Sequence, residues 1–398
     1  DTLQALGSAF RANTPHMDEL VRRGVAFTQC CCTAPICSPS RSTLMTGRHP
    51  LTNGMTSNVN SPCPTLTRAL PTIGDLLQEA GYETVYHGKW HLGGRIGEYG
   101  FEHAEECSLD EETRRMASRF WRDHDWVSYK RPFFHVVSFL DPHDLYFYDP
   151  EKPDSASRRR WANTKSHEGA YPAAVQAKQA NLDEDTWSAI IRFYEERIEK
   201  VDADLGRLLQ ELRCSGFYND TWIIFCSDHG DMCGEHNLPF KGSFMYEGVV
   251  RVPLVVVPPQ SRFTGKHPAS LFSEDIPSGR RDTLCSLIDV PATILDLAGV
   301  EKPAEWEGTS LLPWVRGKAE GDPHETVFAI WHQPRIHMAR SRTWKYIRFD
   351  NGEEELFHLA EDPHETRNRA ADPECVTVLA EYRSRLDGHI QKTRPRNA

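Results

Sequence analysis

The sequence predicts an α/β protein in which a mixed sheet is flanked by helices and a smaller antiparallel α+β domain follows at the C-terminus. Two observations predict this class. Along residues 1–312, short continuous apolar runs typical of buried strands alternate with helical repeats of apolar residues. Residues 313–398 instead carry several short strand patterns with turns between them. We therefore expect one large α/β domain over 1–312 and a C-terminal α+β domain over 313–398.

Apolar spacing and end signals predict the helices. Pro15 has a φ that suits a first helical turn and Gly24 suits a helix end, and the pair Pro39 and Gly47 repeats this pattern. Apolar residues at i, i+3 and i+4 define the longer helices. In chain order, we expect helices after Pro15, over about two turns between Cys37 and Gly47, over 70–80 and 111–120, over 186–213, from 289, and over 373–391.

Apolar runs bounded by turn residues predict the strands. Residues 132–140 read PFFHVVSFL, the pattern of a strand that is buried on both faces. Asn219-Asp220 likewise turns the chain into an apolar run that ends at Cys226. In chain order, the predicted strands cover 25–28, 84–87, 132–140, 221–226 and 251–257, and in the C-terminal part 327–331, 336–340, 345–348 and 355–358.

The composition argues against two classes of binding partner, nucleic acids and membranes. The net charge of −11 argues against a nucleic-acid binder that is held by global electrostatics. No apolar run approaches the roughly 18 residues of a membrane span, and no signal peptide is visible. We expect a soluble protein without nucleic-acid or membrane partners, either cytoplasmic or exported with a signal outside this sequence. The eleven cysteines show neither a disulfide framework nor zinc-site spacing.

The stretch from Cys37 to Arg48 carries the strongest chemical signal. Cys37 is expected just before a helix, where free backbone N–H groups favour an anion or an anionic transition state. Arg41, one turn later, would add a charge-assisted donor beside it. A buried cysteine before an ordinary helix is the alternative for Cys37 alone.

Further polar residues follow the predicted strands directly. Lys89 and His91 follow the strand 84–87, and His143 follows the strand 132–140. Asp228 and His229 follow the strand 221–226 and offer oxygen and nitrogen donors that suit a metal ion. Because ligands bind beyond the carboxyl ends of strands in open α/β sheets, we expect these side chains to converge.

The string C-S-P-S-R-S-T-L-M-T-G-R at Cys37 resembles the signature of the type I sulfatases, and G-K-W-H-L at Lys89 matches the same family. The resemblance implies an alkaline-phosphatase-like fold. It also implies that a formylglycine-generating enzyme reads Cys37, Pro39 and Arg41 and oxidises Cys37 to formylglycine.

The resemblance also implies roles for individual residues. Arg41 and Lys89 would steady the nucleophile and His91 would contact its hydrate. His143 and Lys241, with Lys89, would bind sulfate oxygens. Asn58 stands where some relatives carry a substrate-facing Asn, with polar loop filler as the alternative. Metal ligands would be Asp228, His229 and residue 37, joined by an aspartate pair on a strand that the family places before Asp1 and that this sequence lacks.

The expected function is hydrolysis of a sulfate ester through the hydrate of formylglycine at residue 37. One divalent metal is expected, Ca²⁺ first, with Mn²⁺ open because imidazole suits softer ions. The Asp228-His229 pair resembles choline and iduronate-type sulfatases and phosphonate monoester hydrolases, which favours a sulfated carbohydrate or small alcohol as substrate. The alternatives are a phosphonate monoester or phosphodiester hydrolase and a non-catalytic sulfate-binding relative. Arg158-Arg159-Arg160-Trp161 is either a solvated charge run or a rim for an anionic carbohydrate.

Overall fold

A computed structural model describes residues 4–6, 11–59, 65–123, 131–143, 171–176, 178–180, 182–260 and 276–393. The basic cluster at 158–161 lies outside these residues. Among the described residues, none of the helices combines the length and the apolar character needed to cross a membrane.

Helices and strands alternate along the described chain. The helices are α1 (Pro15–Arg23), α2 (Cys37–Thr46), α3 (Pro50–Asn53), α4 (Ile73–Glu79), α5 (Asp110–Asp123), α6 (Ala173–Gln176), α7 (Glu184–Cys214), α8 (Glu247–Val250), α9 (Asp289–Ala298), α10 (Leu312–Val315) and α11 (Val376–Thr393). The strands are β1 (Val25–Cys31), β2 (Glu83–Gly88), β3 (His103–Glu105), β4 (Phe133–Ser138), β5 (Ile223–Cys226), β6 (Leu254–Val257), β7 (Gly279–Ser286), β8 (Val327–Trp331), β9 (Ile336–Arg340), β10 (Trp344–Phe349) and β11 (Glu354–His358).

The strands form three sheets. One is mixed, with the order β5-β6-β1-β7, in which β7 is parallel to β1 while β6 is antiparallel to both β1 and β5. A second, with the order β3-β2-β4, is parallel. The C-terminal sheet is the antiparallel meander β11-β10-β9-β8. The mixed α/β class with a C-terminal antiparallel sheet is therefore confirmed.

Helices cover the sheets through apolar stripes. The stripe of α7 at Val201, Leu205, Leu208 and Leu212 packs with α1 and with β6 in one buried cluster. On another side, α4 and α9 pack together with side chains of β2. The C-terminal meander is covered by α11 through Leu379, Tyr382 and Leu386. These helices support the strand ends on which the polar residues lie.

Two expectations need correction. Residues 279–286 form β7 and residues 103–105 form β3, although neither was predicted. The first half of β7 is polar and alternates between partly and fully exposed positions, so it has no continuous apolar run. Cys37 is the first residue of α2, whereas the sequence placed it just before the helix.

A deep cavity lies between the mixed sheet and the parallel sheet. Among the described strands, β4 pairs with β2 alone and β5 with β6 alone, so one edge of each faces the other across the gap. The apolar side chains of β4 and β5 are only half-buried there, although their sequences are those of buried strands. The cavity has a volume of about 1190 Å³ and reaches Arg41, Lys89, His143, Asp228 and Lys241.

Candidate active site

Helix α2 places Cys37 at the centre of the site. Ile36 is extended and precedes the first turn, which contains Pro39, and Gly47 ends the helix in the left-handed conformation at φ 59°. A Cβ atom on Gly47 would lie 2.3 Å from the Trp306 ring, so this turn also requires glycine for packing. Cys37 itself is fully buried.

Three basic side chains surround the sulfur of Cys37. Lys241 Nζ lies 3.1 Å from Sγ, Lys89 Nζ lies 3.3 Å from it, and His229 Nε2 also lies 3.3 Å from it. Burial opposes ionisation of the thiol, but the charge and hydrogen bond of His229 and a hydrogen bond from His91 hold the pKa of Cys37 well below its usual value. The site therefore favours an anion at this position.

The end of β2 directs Lys89 toward that sulfur. Gly88 has φ 103°, and a Cβ atom there would lie 2.1 Å from the carbonyl oxygen of Ser138 on β4. The close approach allows the Lys89 N–H to donate to that same carbonyl at 3.0 Å. Glycine at this position therefore sets the direction in which the chain leaves β2.

Arg41 ties α2 to three other segments. Its Nε donates to the Trp90 carbonyl at 3.0 Å and its Nη1 contacts Asp228 Oδ2 at 3.3 Å. Its Nη2 donates to the hydroxyl of Tyr86 at 2.7 Å and to that of Ser138 at 2.6 Å, as well as to the Lys89 carbonyl. Burial opposes the charge, but Tyr86 and Asp228 outweigh it and raise the pKa of Arg41. Arg41 thus holds neighbouring groups in place around the sulfur.

Asp228 and His229 follow β5 and meet Cys37. Ligand atoms of the three residues lie within 4.8 Å of one another. His229 Nδ1 lies 2.8 Å from the Gly230 carbonyl, which can only accept, so Nδ1 donates. When the imidazole is neutral, Nε2 therefore carries the lone pair and faces Cys37. Burial opposes ionisation of Asp228, but the charges of His229 and Lys89 lower its pKa. A carboxylate beside an oriented imidazole fits a divalent metal ion.

His143 and His91 complete the group. Burial, followed by the charges of Lys89 and Lys241, lowers the pKa of His143 to about 4, so His143 lies within electrostatic reach of both lysines. The Asp141 carboxylate beside it contacts Lys200 Nζ of α7 at 2.7 Å. His91 adopts φ 56°, and its carbonyl accepts from the Ser38 hydroxyl at 2.6 Å. Positive φ is uncommon outside glycine and frequent at functional sites.

Comparison with known proteins gives the family of this chain. The family model described as Sulfatase matches residues 3–300. The chain belongs to the sulfatase family. A second model, described as N-sulphoglucosamine sulphohydrolase, C-terminal, matches residues 234–392 of the sulfatase chain. Sulfatases are sulfuric ester hydrolases, and the family generally uses a metal and formylglycine, which agrees with the site at Cys37.

Named sulfatases resemble this one over most of their own length. A Delta 4,5-hexuronate-2-O-sulfatase of Bacteroides thetaiotaomicron is 28% identical over 95% of this chain and 84% of its own. A choline-sulfatase of Rhizobium meliloti is 28% identical over 92% of this chain and 79% of its own. The solved structure of a 2-O GAG sulfatase superimposes with a TM-score of 0.81 at 24% identity, covering 98% of this chain and 89% of the other, which shows the shared fold.

The sulfatase structure brings together most of the residues that the sequence selected. These are Cys37, Arg41, Lys89, His91, His143, Asp228, His229 and Lys241. Asn58 lies beside them, where its Oδ1 accepts from the Ser38 N–H at 2.9 Å and so caps the first turn of α2. A cap of this kind occupies a backbone donor that the sequence had assigned to an anion.

Two groups at the sulfatase site were not selected from the sequence. Tyr86 and Ser138 both accept hydrogen bonds from Arg41. Tyr86 lies inside β2, where an aromatic residue is ordinary, and Ser138 is the last residue of an apolar strand. The one available signal was Ser138 itself, a polar residue at the carboxyl end of a strand.

Proposed function

We propose that this sulfatase hydrolyses the sulfate ester of a sulfated carbohydrate or small alcohol and that formylglycine derived from Cys37 supplies the nucleophile. The observation that carries the proposal is the convergence of Lys89 Nζ, Lys241 Nζ and His229 Nε2 on Cys37 Sγ within 3.3 Å. In this structure Sγ stands where the reactive oxygen atoms would be. Residue 37 lies within hydrogen-bond distance of all three groups.

The modification explains why a cysteine stands at the centre. Hydrated formylglycine offers one hydroxyl for attack on sulfur and a second whose loss of a proton expels sulfate, which serine and unmodified cysteine cannot do. Cys37 and Pro39 are buried in the folded chain, and the Arg41 side chain is only 12% exposed. A formylglycine-generating enzyme would therefore have to read these three residues before folding is complete.

Lys89 and Lys241 are the groups that would stabilise the negative charge of the transition state. Sulfuryl transfer raises negative charge on the sulfate oxygens, and preorganised cations in a dry site stabilise that charge. With a net charge of −11 overall, the protein needs this local concentration of positive charge to bind an anion. His143 stands beside the same lysines, and we assign to His143 or Lys241 the proton that the leaving oxygen takes up.

Asp228, His229 and residue 37 would hold one divalent metal. The oriented Nε2 of His229 and the ionised carboxylate of Asp228 fit such an ion. Its chemistry would be to polarise a sulfate oxygen and lower the pKa of the nucleophile. We propose Ca²⁺, with Mn²⁺ as the second choice because of the imidazole ligand.

The cavity beside Asp228 is consistent with an additional strand that supplies further metal ligands. Half-buried β4 and β5 line a space that reaches Asp228, and a strand between them would bury both. We propose that this space takes the family strand that ends in two aspartates. Sequencing the gene upstream of the codon for Asp1 tests this, since an apolar run that ends in Asp-Asp is expected there.

The substrate class follows from the relatives. The two characterised sulfatases described above act, by their names, on a hexuronate 2-O-sulfate and on choline sulfate. Both substrates are sulfate esters of alcohols, and the bacterial hexuronate enzyme is similar over 95% of this chain. We therefore propose a sulfated sugar as the first candidate and a small alcohol sulfate as the second.

Initial rates on matched esters test the proposal. The assay compares sulfate release from a panel of sulfated sugars and choline sulfate with hydrolysis of an aryl phosphonate monoester, using protein whose formylglycine content is verified by mass spectrometry. We expect faster turnover of at least one sulfate ester. Faster phosphonate hydrolysis would instead identify a phosphonate monoester hydrolase. Sulfate binding without turnover of any ester would identify a non-catalytic relative.

A further inference from the structure

The hydroxyl of Tyr86 makes two hydrogen bonds inside the site. It donates to the Lys89 carbonyl at 2.6 Å and accepts from Arg41 Nη2 at 2.7 Å. One hydroxyl thus links the backbone of Lys89 to the guanidinium of Arg41. Lys89, one of the two residues that it links, places its ammonium 3.3 Å from Cys37 Sγ.

Packing fixes the Tyr86 ring. The residue is 1% exposed and lies inside β2. Its ring meets Trp90 and Phe101 edge to face, each at a centroid distance of 5.2 Å. Because the ring packs against aromatic side chains on two sides, the hydroxyl has one accessible position. The groups that are hydrogen-bonded to this hydroxyl are therefore held in fixed positions as well.

The backbone at Lys89 needs such an anchor. Gly88 adopts a left-handed φ of 103°, so the chain turns sharply as it leaves β2. The N–H of Lys89 is held by Ser138 on one side, and the carbonyl of Lys89 is held by Tyr86 and Arg41 on the other. Together these bonds fix both peptide groups that flank the Lys89 side chain, which reaches to 3.3 Å from Cys37 Sγ.

We infer that Tyr86 is a positioning residue for the proposed sulfuryl transfer, which orients Lys89 and Arg41 through its hydroxyl. This inference rests on the proposed function. The Tyr86 hydroxyl contacts Arg41 and the Lys89 carbonyl, so its effect passes through the position of the Lys89 ammonium. Small displacements of a catalytic group, on the order of 1 Å, can cost about a hundredfold in rate.

The test is Tyr86→Phe, which removes the hydroxyl and keeps the ring. The matched control is Tyr99→Phe. Tyr99 is also buried in the same aromatic cluster and donates to a backbone carbonyl, that of Leu66 at 2.7 Å, but it contacts neither Arg41 nor Lys89. Both variants lose a buried tyrosine hydroxyl that donates to a backbone carbonyl, and Tyr86→Phe also loses the bond from Arg41 Nη2. A purely structural role predicts lower stability in both variants without a specific loss of kcat in Tyr86→Phe.

We expect Tyr86→Phe to lower kcat on the best sulfate ester about tenfold to a hundredfold, as other supporting residues do, with KM changed by less than about threefold. Tyr99→Phe should keep kcat within about twofold although its melting temperature also falls. Formylglycine content is measured for each variant so that incomplete maturation is separated from slow turnover. Equal kcat in wild type and Tyr86→Phe, or equal losses in the two variants, would overturn the inference.

The same variants separate this inference from the proposed function. If the wild type turns over no sulfate ester, the proposed function fails, and binding of vanadate, a five-coordinate mimic of group transfer, decides the role of Tyr86. In that case we expect Tyr86→Phe to weaken vanadate binding by about tenfold or more and Tyr99→Phe to leave it unchanged. Equal vanadate affinity in all three proteins would contradict the positioning role.

Discussion

Lys241 Nζ lies 3.1 Å from Cys37 Sγ, although 204 residues separate the two in the chain. Lys89 reaches the same sulfur from the end of β2 at 3.3 Å. Two ammonium groups therefore meet at the first residue of a helix, inside a protein of net charge −11. Such an arrangement favours an oxyanion locally, in a protein whose overall charge is negative.

Replacing Lys241 by Met should lower kcat by about two to three orders of magnitude, because a preorganised donor to the developing negative charge is lost. Steady-state kinetics on a sulfate ester measure the effect. Lys178→Met, which neutralises an exposed lysine, is the control and should leave the rate unchanged. A rise in KM at constant kcat would show that Lys241 binds substrate and transition state equally, against this account.

Removing divalent metal should abolish turnover. We expect a chelator to inactivate the enzyme, and Ca²⁺ to restore more activity than Mn²⁺ when each is added back. Asp228→Asn should weaken metal binding by about tenfold or more, read as a smaller rise of the melting temperature on adding the metal. Full activity after exhaustive chelation would contradict the proposed metal site at Asp228 and His229.

His324 gives the fold one pH-dependent ion pair. Its Nε2 lies 2.8 and 3.0 Å from the two carboxylate oxygens of Asp289, which is fully buried. Burial disfavours the charge, but the hydrogen bond and charge of Asp289 outweigh it and raise the pKa of His324. The stabilisation is therefore complete below the unfolded-state pKa of about 6.5 and is lost as pH rises through the folded-state pKa.

His324→Gln should accordingly reduce the free energy of unfolding by about 1 kcal/mol more at about pH 5.5 than at about pH 8.5. Urea denaturation at the two pH values measures the difference. His358→Gln is the comparison, since His358 faces the mostly exposed Glu361 instead of a buried carboxylate. An equal effect of His324→Gln at both pH values would show that folding does not shift the pKa of His324.

A second set of histidines makes the stability of the fold depend on pH in the opposite direction. His389 stacks on Phe328 at 3.9 Å and meets His49 edge to face at 4.6 Å. Burial and then the charge of His337 lower the pKa of His389 to about 4. Between about pH 6.5 and that value the unfolded chain binds a proton that the folded chain does not, so stability falls as pH decreases.

His389→Phe keeps the stacked ring and removes this titration. We expect the loss of unfolding free energy between about pH 7.5 and about pH 5 to be smaller in the variant by about 1–2 kcal/mol. Chemical denaturation at both pH values provides the measurement. A variant as acid-sensitive as the wild type would mean that His389 is protonated in the folded state.

The sequence allowed the local parts of the site to be predicted. Helix α2 follows from Pro39 and Gly47, which act within one turn of their own positions, although its 10 residues make it longer than the two turns predicted. The strands that carry Lys89, His143 and Asp228 also followed from local apolar runs. These predictions depend on backbone propensity alone, which a single sequence contains.

Contacts between distant segments could not be predicted in the same way. Two of the acceptors around Arg41 are the backbone carbonyls of Lys89 and Trp90, and a carbonyl leaves no mark in the sequence. Asn58 was assigned to the substrate, but its bond to the Ser38 N–H depends on a loop returning to α2. Which partner a polar group finds is set by tertiary packing.

The mass of the tryptic peptide Gly24–Arg41 tests the central claim, that residue 37 acts as formylglycine, most directly. In protein that releases sulfate from an ester, we expect this peptide to be about 18 Da lighter than the coded sequence, as replacement of CH2SH by CHO requires, and to accept three alkyl groups at Cys30, Cys31 and Cys32. An unmodified peptide that accepts a fourth alkyl group at Cys37, from protein with full sulfatase activity, would contradict the account.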